Sequence, residues 1–152
     1  MDKGTRRGTA LERLEAFVGE WKVETTLPGA EGLVGRTVFE PLLGGQFLIQ
    51  RSEIPHPDAP DSTAIISFDP DDGSFAQHYF DSRGVVRIYA MSFEDGVWGL
   101  VREAPDFSPL KFSQRFRGTF NEGRSIIRGR WEIADDGVSW KTDFDLTYTR
   151  VD

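Results

Sequence analysis

The stretch Phe17-Val18-Gly19-Glu20-Trp21 decides the fold, because one hydrophobic period ends in it and another begins. On its N-terminal side Leu11, Leu14, Phe17 and Val18 recur at helical spacing and make a single apolar stripe. Thr9-Ala10-Leu11-Glu12 has the form of a capping box, in which Thr9 accepts from the backbone while Glu12 reaches back to the cap. The pattern predicts a short helix from Thr9, with residues 1–8 as a flexible N-terminus and residues 9–152 as one domain. Gly19 can stop the helix in a left-handed conformation, and Trp21 then opens the first strand.

Beyond Trp21, turn signals recur at the spacing of a strand plus a loop. They are Pro28-Gly29, Gly44-Gly45, Pro55-His56-Pro57-Asp58-Ala59-Pro60, Asp69-Pro70-Asp71-Asp72-Gly73, Asp81-Ser82-Arg83-Gly84, Glu94-Asp95-Gly96, Ala104-Pro105 to Pro109, Asn121-Glu122-Gly123 and Asp135-Asp136-Gly137. Nine breaks predict ten strands. Several strands alternate. Phe112, Gln114, Phe116, Gly118 and Phe120 oppose Ser113, Arg115, Arg117 and Thr119; Trp140, Thr142, Phe144, Leu146, Tyr148 and Arg150 oppose Lys141, Asp143, Asp145, Thr147 and Thr149. One face is therefore wet, and closing the sheet hides the other while removing its edges. The expected fold class is all-β, an antiparallel up-and-down β-barrel of about ten strands with one short N-terminal helix. A barrel wider than about eight strands leaves room inside for a ligand.

Composition narrows the function classes. The chain has 152 residues, a formal net charge of -7 and no cysteine. That length suits a single core, and the missing thiols remove disulfides, thiolate nucleophiles and cysteine-based metal sites. Net acidity opposes the counterion release that drives nucleic-acid binding, so no nucleic-acid partner is expected. Arg6-Arg7 precedes no apolar run, and no segment approaches the roughly 20 apolar residues of a membrane span. The expectation is a cytoplasmic protein of bacterial type with no membrane partner.

A helix, then Gly19-Glu20-Trp21 opening a meander that closes on Tyr148-Thr149-Arg150, resembles the calycin group of lipocalins, fatty-acid-binding proteins and nitrobindin-like barrels. The resemblance implies that Trp21 closes the barrel floor with Arg150 packed across its ring, an arrangement whose cation–π attraction is worth about 0.5–2 kcal/mol. Gly96-Val97-Trp98 and Gly129-Arg130-Trp131 repeat the motif, so position after the helix distinguishes the first copy. Gln77-His78-Tyr79-Phe80-Asp81-Ser82-Arg83-Gly84 is similar to a segment of a small bacterial family of unassigned function. Nitrobindin-like barrels that carry haem take a proximal histidine from the C-terminal part of the barrel. Here the histidines are His56 and His78, so no haem or other cofactor is expected.

The hairpin at Asp81 to Gly84 sets the candidate site. A type I turn with Gly84 as the bulge residue pairs Tyr79 with Arg87 and Gln77 with Tyr89, placing Phe75, Gln77, Tyr79, Arg87, Tyr89 and Met91 on one face. A four-residue turn would instead pair His78 with Arg87. With Trp98, Leu100 and Arg102 from the next strand, and Phe116, Trp131 and Tyr148 beyond, the first phase makes a ligand-binding lining of Gln77, Tyr79, Arg87, Tyr89, Trp98, Arg102, Phe116 and Trp131. The competing view is that Arg87 and Arg102 pair with strand carboxylates such as Glu53, or point to solvent, and the aromatics merely fill the barrel.

No nucleophile triad, zinc-binding His-Glu-x-x-His, P-loop or dinucleotide fingerprint occurs. The acidic turn from Asp69 to Gly73 lacks the alternation of a calcium loop, and no metal is expected. The expected function is thus non-catalytic binding of a small, mostly apolar or amphipathic molecule with a polar or anionic head. The alternative is a cavity enzyme of isomerase, cyclase or hydrolase type using His78 or Tyr79 with Arg87. A homodimer through the outer strands is a further expectation.

Overall fold

Ten strands account for most of the described residues in the computed structural model, which covers residues 3–56, 59–102, 104, 106 and 112–151. They are β1 (Gly19–Thr25), β2 (Gly35–Leu42), β3 (Phe47–Glu53), β4 (Ser62–Asp69), β5 (Ser74–Asp81), β6 (Val86–Glu94), β7 (Val97–Arg102), β8 (Ser113–Phe120), β9 (Ile126–Ala134) and β10 (Lys141–Arg150). Each pairs antiparallel with its sequence neighbours, and β10 returns to β1 to close the barrel. Every turn signal read from the sequence falls at or between strand ends. Pro57, Asp58, Pro105 and residues 107–109 lie outside the described residues, as do Met1 and Asp2. No helix among the described residues is long and apolar enough to cross a membrane.

The helix is longer than its sequence signature. α1 (Lys3–Arg13) runs directly into a 3-10 turn at Leu14–Ala16, so Thr9 lies inside the helix and is not its N-cap. Residues 3–8 supply carbonyls one turn upstream for the amides that the Thr9 side chain would have capped. Of the apolar stripe, Leu14 and Phe17 are buried, and Leu11 and Val18 are half-buried against the same core, to which Ala10 and Ala16 also belong.

Phe17 anchors the end of the barrel that carries the helix, here called the floor. Its ring is wholly buried and meets Phe39 at 5.2 Å, Phe93 at 4.9 Å, Trp98 at 5.0 Å and Phe120 at 5.1 Å between centroids. Beside it, Trp21 and Arg150 are direct register partners, and the Arg150 guanidinium carbon lies 4.2 Å from the centre of the Trp21 rings. The same guanidinium donates from Nη1 to the Val18 carbonyl and from Nη2 to the Ala16 carbonyl, each at 2.7 Å. Trp21 Nε1 donates to the Phe17 carbonyl at 2.9 Å. Carbonyls left open where the helix ends thus find donors from the last and first strands. Gly19 makes this approach feasible: its φ is +131°, and a Cβ there would come within 2.7 Å of Arg150 Nη1.

One strand departs from simple alternation. The β9–β10 register shifts between Thr142 and Phe144, so β10 carries a bulge. From Phe144 onward the expected inner face holds, but the phase is broken N-terminal to it. Trp140, expected with Phe144 and Leu146, instead stacks at 4.2 Å against Arg115, whose own Nε is bound to Glu132 at 2.9 Å. Glycine also shapes the wall where Gly118 and Gly129 face each other across β8 and β9. The Phe116 ring lies over this pair, and a Cβ at Gly129 would overlap it.

Replacing Trp21 with Ala should cost about 3–5 kcal/mol in a denaturant-unfolding experiment, as buried tryptophan truncations do. A loss below about 1 kcal/mol would make Trp21 peripheral to the floor.

Candidate functional site

Above the aromatic floor the barrel holds a cavity of about 480 Å³. Its mouth is ringed by Leu27, Ile54, Ala59 and Pro60 from the loops that follow β1 and β3, while Trp98 and Tyr148 lie in its depth. The size falls in the range of small-molecule sites, roughly 300–1,000 Å³. Gln77, Tyr79, Arg87, Tyr89, Trp98, Phe116 and Trp131 all line it. Leu100, Leu146, Gln50 and Gln114 also line it, as do the charged residues Glu53, Arg83 and Asp143.

The β5–β6 hairpin places the first four of these residues. Gly84, at φ +84°, donates to the Asp81 carbonyl at 2.9 Å, and Asp81 N donates to the Val85 carbonyl at 3.1 Å. The register then pairs Tyr79 with Arg87 and Gln77 with Tyr89. Asp81 holds the turn in this form: its carboxylate accepts from the Arg83 amide at 2.9 Å, the Arg83 guanidinium at 2.7 Å and the Tyr79 hydroxyl at 2.9 Å. Burial alone would raise the Asp81 carboxyl, but the hydrogen bonds from Arg83, Tyr79 and Val85 outweigh it and bring the pKa to about 2. Burial, and then the bond to Asp81, pushes the Tyr79 phenol well above its ordinary range.

That phase turns His78 away from the cavity. His78 pairs with Ile65 and Ile88, on the opposite face from Gln77 and Tyr79, and does not line the cavity. Alternation along β5 leaves no choice: with Gln77 and Tyr79 inside, the residue between them is outside. His56 does not line the cavity either, so no imidazole among the described residues lies in its wall. Tyr79, protonated and donating to Asp81, is poorly set to remove a proton.

The two arginines have different fates. Arg102 is buried, donating from Nε to Asp106 Oδ2 at 2.8 Å and from Nη2 to Oδ1 at 3.0 Å. Asp106 also accepts from the Ile88 amide at 3.0 Å, which ties the β7–β8 connection to β6. Arg102, expected as a ligand contact, is absent from the cavity lining. Neither arginine pairs with Glu53, which lies 3.6 Å from Arg36. Arg87 does line the cavity, donating from Nη1 to Gln114 Oε1 at 3.2 Å with its guanidinium 5.7 Å from the centre of the Phe112 ring. No carboxylate among the described residues comes within ion-pair distance of it.

Most buried polar groups in the lining are satisfied. Thr37 and Ser52 share a hydrogen bond at 2.8 Å, and Tyr89 donates to Gln114 Oε1 at 3.3 Å. Burial raises both the Tyr89 and Tyr148 phenols, keeping them neutral donors. Two atoms differ: Gln77 Oε1 and Trp98 Nε1 are buried without a hydrogen-bond partner among the described residues. Each such group left unpaired costs about 1–3 kcal/mol. No cluster of histidine, aspartate or glutamate among the described residues could hold a metal ion. In the acidic turn, Asp69 accepts from the Asp71 amide at 2.8 Å and Asp72 from the Ser74 amide at 2.9 Å, so these carboxylates serve the turn.

Fold and site together define a single closed β-barrel with an internal cavity. The chain belongs to the family described as Protein of unknown function (DUF1579), which matches residues 8–99. The matched segment runs from α1 into β7 and includes Gln77, Tyr79, Arg87, Tyr89 and Trp98. Among solved structures, the crystal structure of Rv2717c from M. tuberculosis is similar, with a TM-score of 0.59 and 15% identity over 94% of this chain and 98% of that one. At this identity the likeness concerns the fold alone. A search of curated proteins returned no match.

Asp81 gives the hairpin a pH signature. Its folded pKa of about 2 lies below its unfolded value, so its stabilisation is complete above that unfolded value and is lost as pH falls toward 2. Denaturant unfolding of the wild type and Asp81→Asn should show a stability gap that is constant near neutrality and narrows below about pH 4. A gap unchanged down to about pH 2.5 would contradict the clamp.

Proposed function

We propose that this protein is a non-catalytic binding barrel of the calycin kind, which takes up a small, mostly apolar molecule with an anionic head. The observation that carries the reading is Arg87, a guanidinium on the cavity wall that donates to neutral Gln114, lies near the Phe112 ring and has no ion-pair partner among the described residues. A cation so placed is available for a carboxylate or a similar anion, through a charge-assisted hydrogen bond. The remaining wall, with Trp98, Leu100, Phe116, Trp131 and Leu146, suits an apolar body. The cation–π pair of Arg150 and Trp21 supports the calycin comparison, because it seals the end opposite the mouth. A cytoplasmic site of action in a bacterium belongs to the same proposal.

The reading is tested by titrating the protein with cis-parinaric acid, a fluorescent lipophilic carboxylate. Saturable uptake is expected, and Arg87→Gln should weaken it about tenfold or more, the scale of a hydrogen bond to a charged group. The corresponding uncharged alcohol should be much less sensitive to Arg87→Gln. No uptake by the wild type would overturn the proposal.

A further inference from the structure

The inner wall of the barrel carries no side chain at two facing positions. Gly118 on β8 and Gly129 on β9 are register partners, with Trp98 of β7 level with the pair on one side and Leu146 of β10 on the other. Both glycines are buried and neither has a positive φ, so their backbone would accept a side chain. Glycine inside a strand weakens it, and it marks a place where another group approaches the backbone closely. That group is the Phe116 ring. A Cβ at Gly129 would overlap Phe116 Cζ and Cε1, and one at Gly118 would stand 2.9 Å from Phe116 Cε2.

Phe116 lies two residues nearer the mouth than Gly118 and shares its face. Its ring therefore leans back over the glycines instead of standing out into the cavity. The Trp98 ring at 4.9 Å and the Trp131 ring at 5.2 Å are its neighbours, and all three residues line the cavity. With backbone behind it and indoles beside it, a ring lifted off the glycines moves toward the cavity. Free depth thus depends on two residues that have no side chain.

The recess also lies at a defined distance from Arg87. Gln114, to which Arg87 donates, is four residues from Gly118 along β8, about 13 Å at roughly 3.3 Å per residue. A carboxylate held at Arg87 brings its chain to the recess only when that chain has about ten carbons or more, the length that spans such a distance when extended.

We propose that the Gly118 and Gly129 recess, acting through Phe116, determines specificity for the far end of the ligand, and that the ligand is an acid whose apolar chain is long enough to lie against Phe116. This rests on the binding reading above, with the carboxylate at Arg87. The recess selects by volume, because a close-packed wall of rings yields little to an added methyl group.

The test is isothermal titration calorimetry with octanoic acid, which ends short of the recess, and dodecanoic acid, which reaches it. Gly129→Ala should weaken dodecanoic acid about tenfold, the scale of overpacking, and leave octanoic acid within about twofold. The double variant Gly129→Ala with Phe116→Leu should bring dodecanoic acid back to within about threefold of the wild type, because the smaller side chain clears the new methyl group. Phe116→Trp overfills the recess with both glycines in place and should give the same split between the acids, which keeps the inference testable if Gly129→Ala does not fold. Equal weakening of the two acids in the folded variants, or no weakening of either, would overturn the recess while leaving the binding reading intact. If the wild type binds neither acid, both fail.

Discussion

The stacking of Arg150 on Trp21 is the contact on which the barrel's closed end depends. It joins the last strand to the first as register partners, and the guanidinium also reaches the Ala16 and Val18 carbonyls where the helix ends. Three tasks thus fall to one side chain: closing the sheet, ending the helix and covering the indole. A positively charged group can do this because stacking on the ring and donation to carbonyls use different parts of the planar guanidinium. Gly19 is bound into the same arrangement, since a side chain there would occupy the space that Arg150 needs.

With the floor filled by Phe17 and its aromatic neighbours, the empty volume lies toward the opposite end, and polar chemistry is arranged around it by strand phase. The Asp81 turn sets that phase for β5 and β6, placing Tyr79 and Arg87 on the wall and His78 outside. Along the neighbouring ladder, Asp106 neutralises Arg102 and removes it from the cavity. A pair so buried is held by geometry, because each ion would be costly without the other. Arg87 stays on the cavity wall without an ion-pair partner among the described residues, whereas Arg83, which also lines the cavity, is held by Asp81.

Much of this was legible in the residues. Asp81 and Gly84 carry the turn's preferences in their own side-chain and backbone chemistry, so the register of the hairpin could be read locally. The β10 bulge could not be read in this way. Thr142, Asp143 and Phe144 alternate in sequence like any strand, and only the pairing with β9 shifts the register and sends Trp140 to Arg115. The start of the helix was misplaced for a related reason: Thr9 fits a cap, but residues 3–8 extend the helix past it. Asp106 was missed because its partner is chosen by the path of a loop, and no periodicity reports that path.

By itself, the sequence determined what depends on neighbours along the chain: the number of strands, the positions of their turns, the alternation of wet and apolar faces, and the switch from helix to strand at Gly19. Tertiary structure alone decided which side chains meet across distant segments. It brought Arg150 onto Trp21, gave Arg102 a carboxylate while leaving Arg87 with Gln114, and left Gln77 Oε1 and Trp98 Nε1 without a partner among the described residues. The physical reason is that local preferences act over a few residues, whereas the pairing of a buried charge or amide is set by which strands the closed barrel makes adjacent.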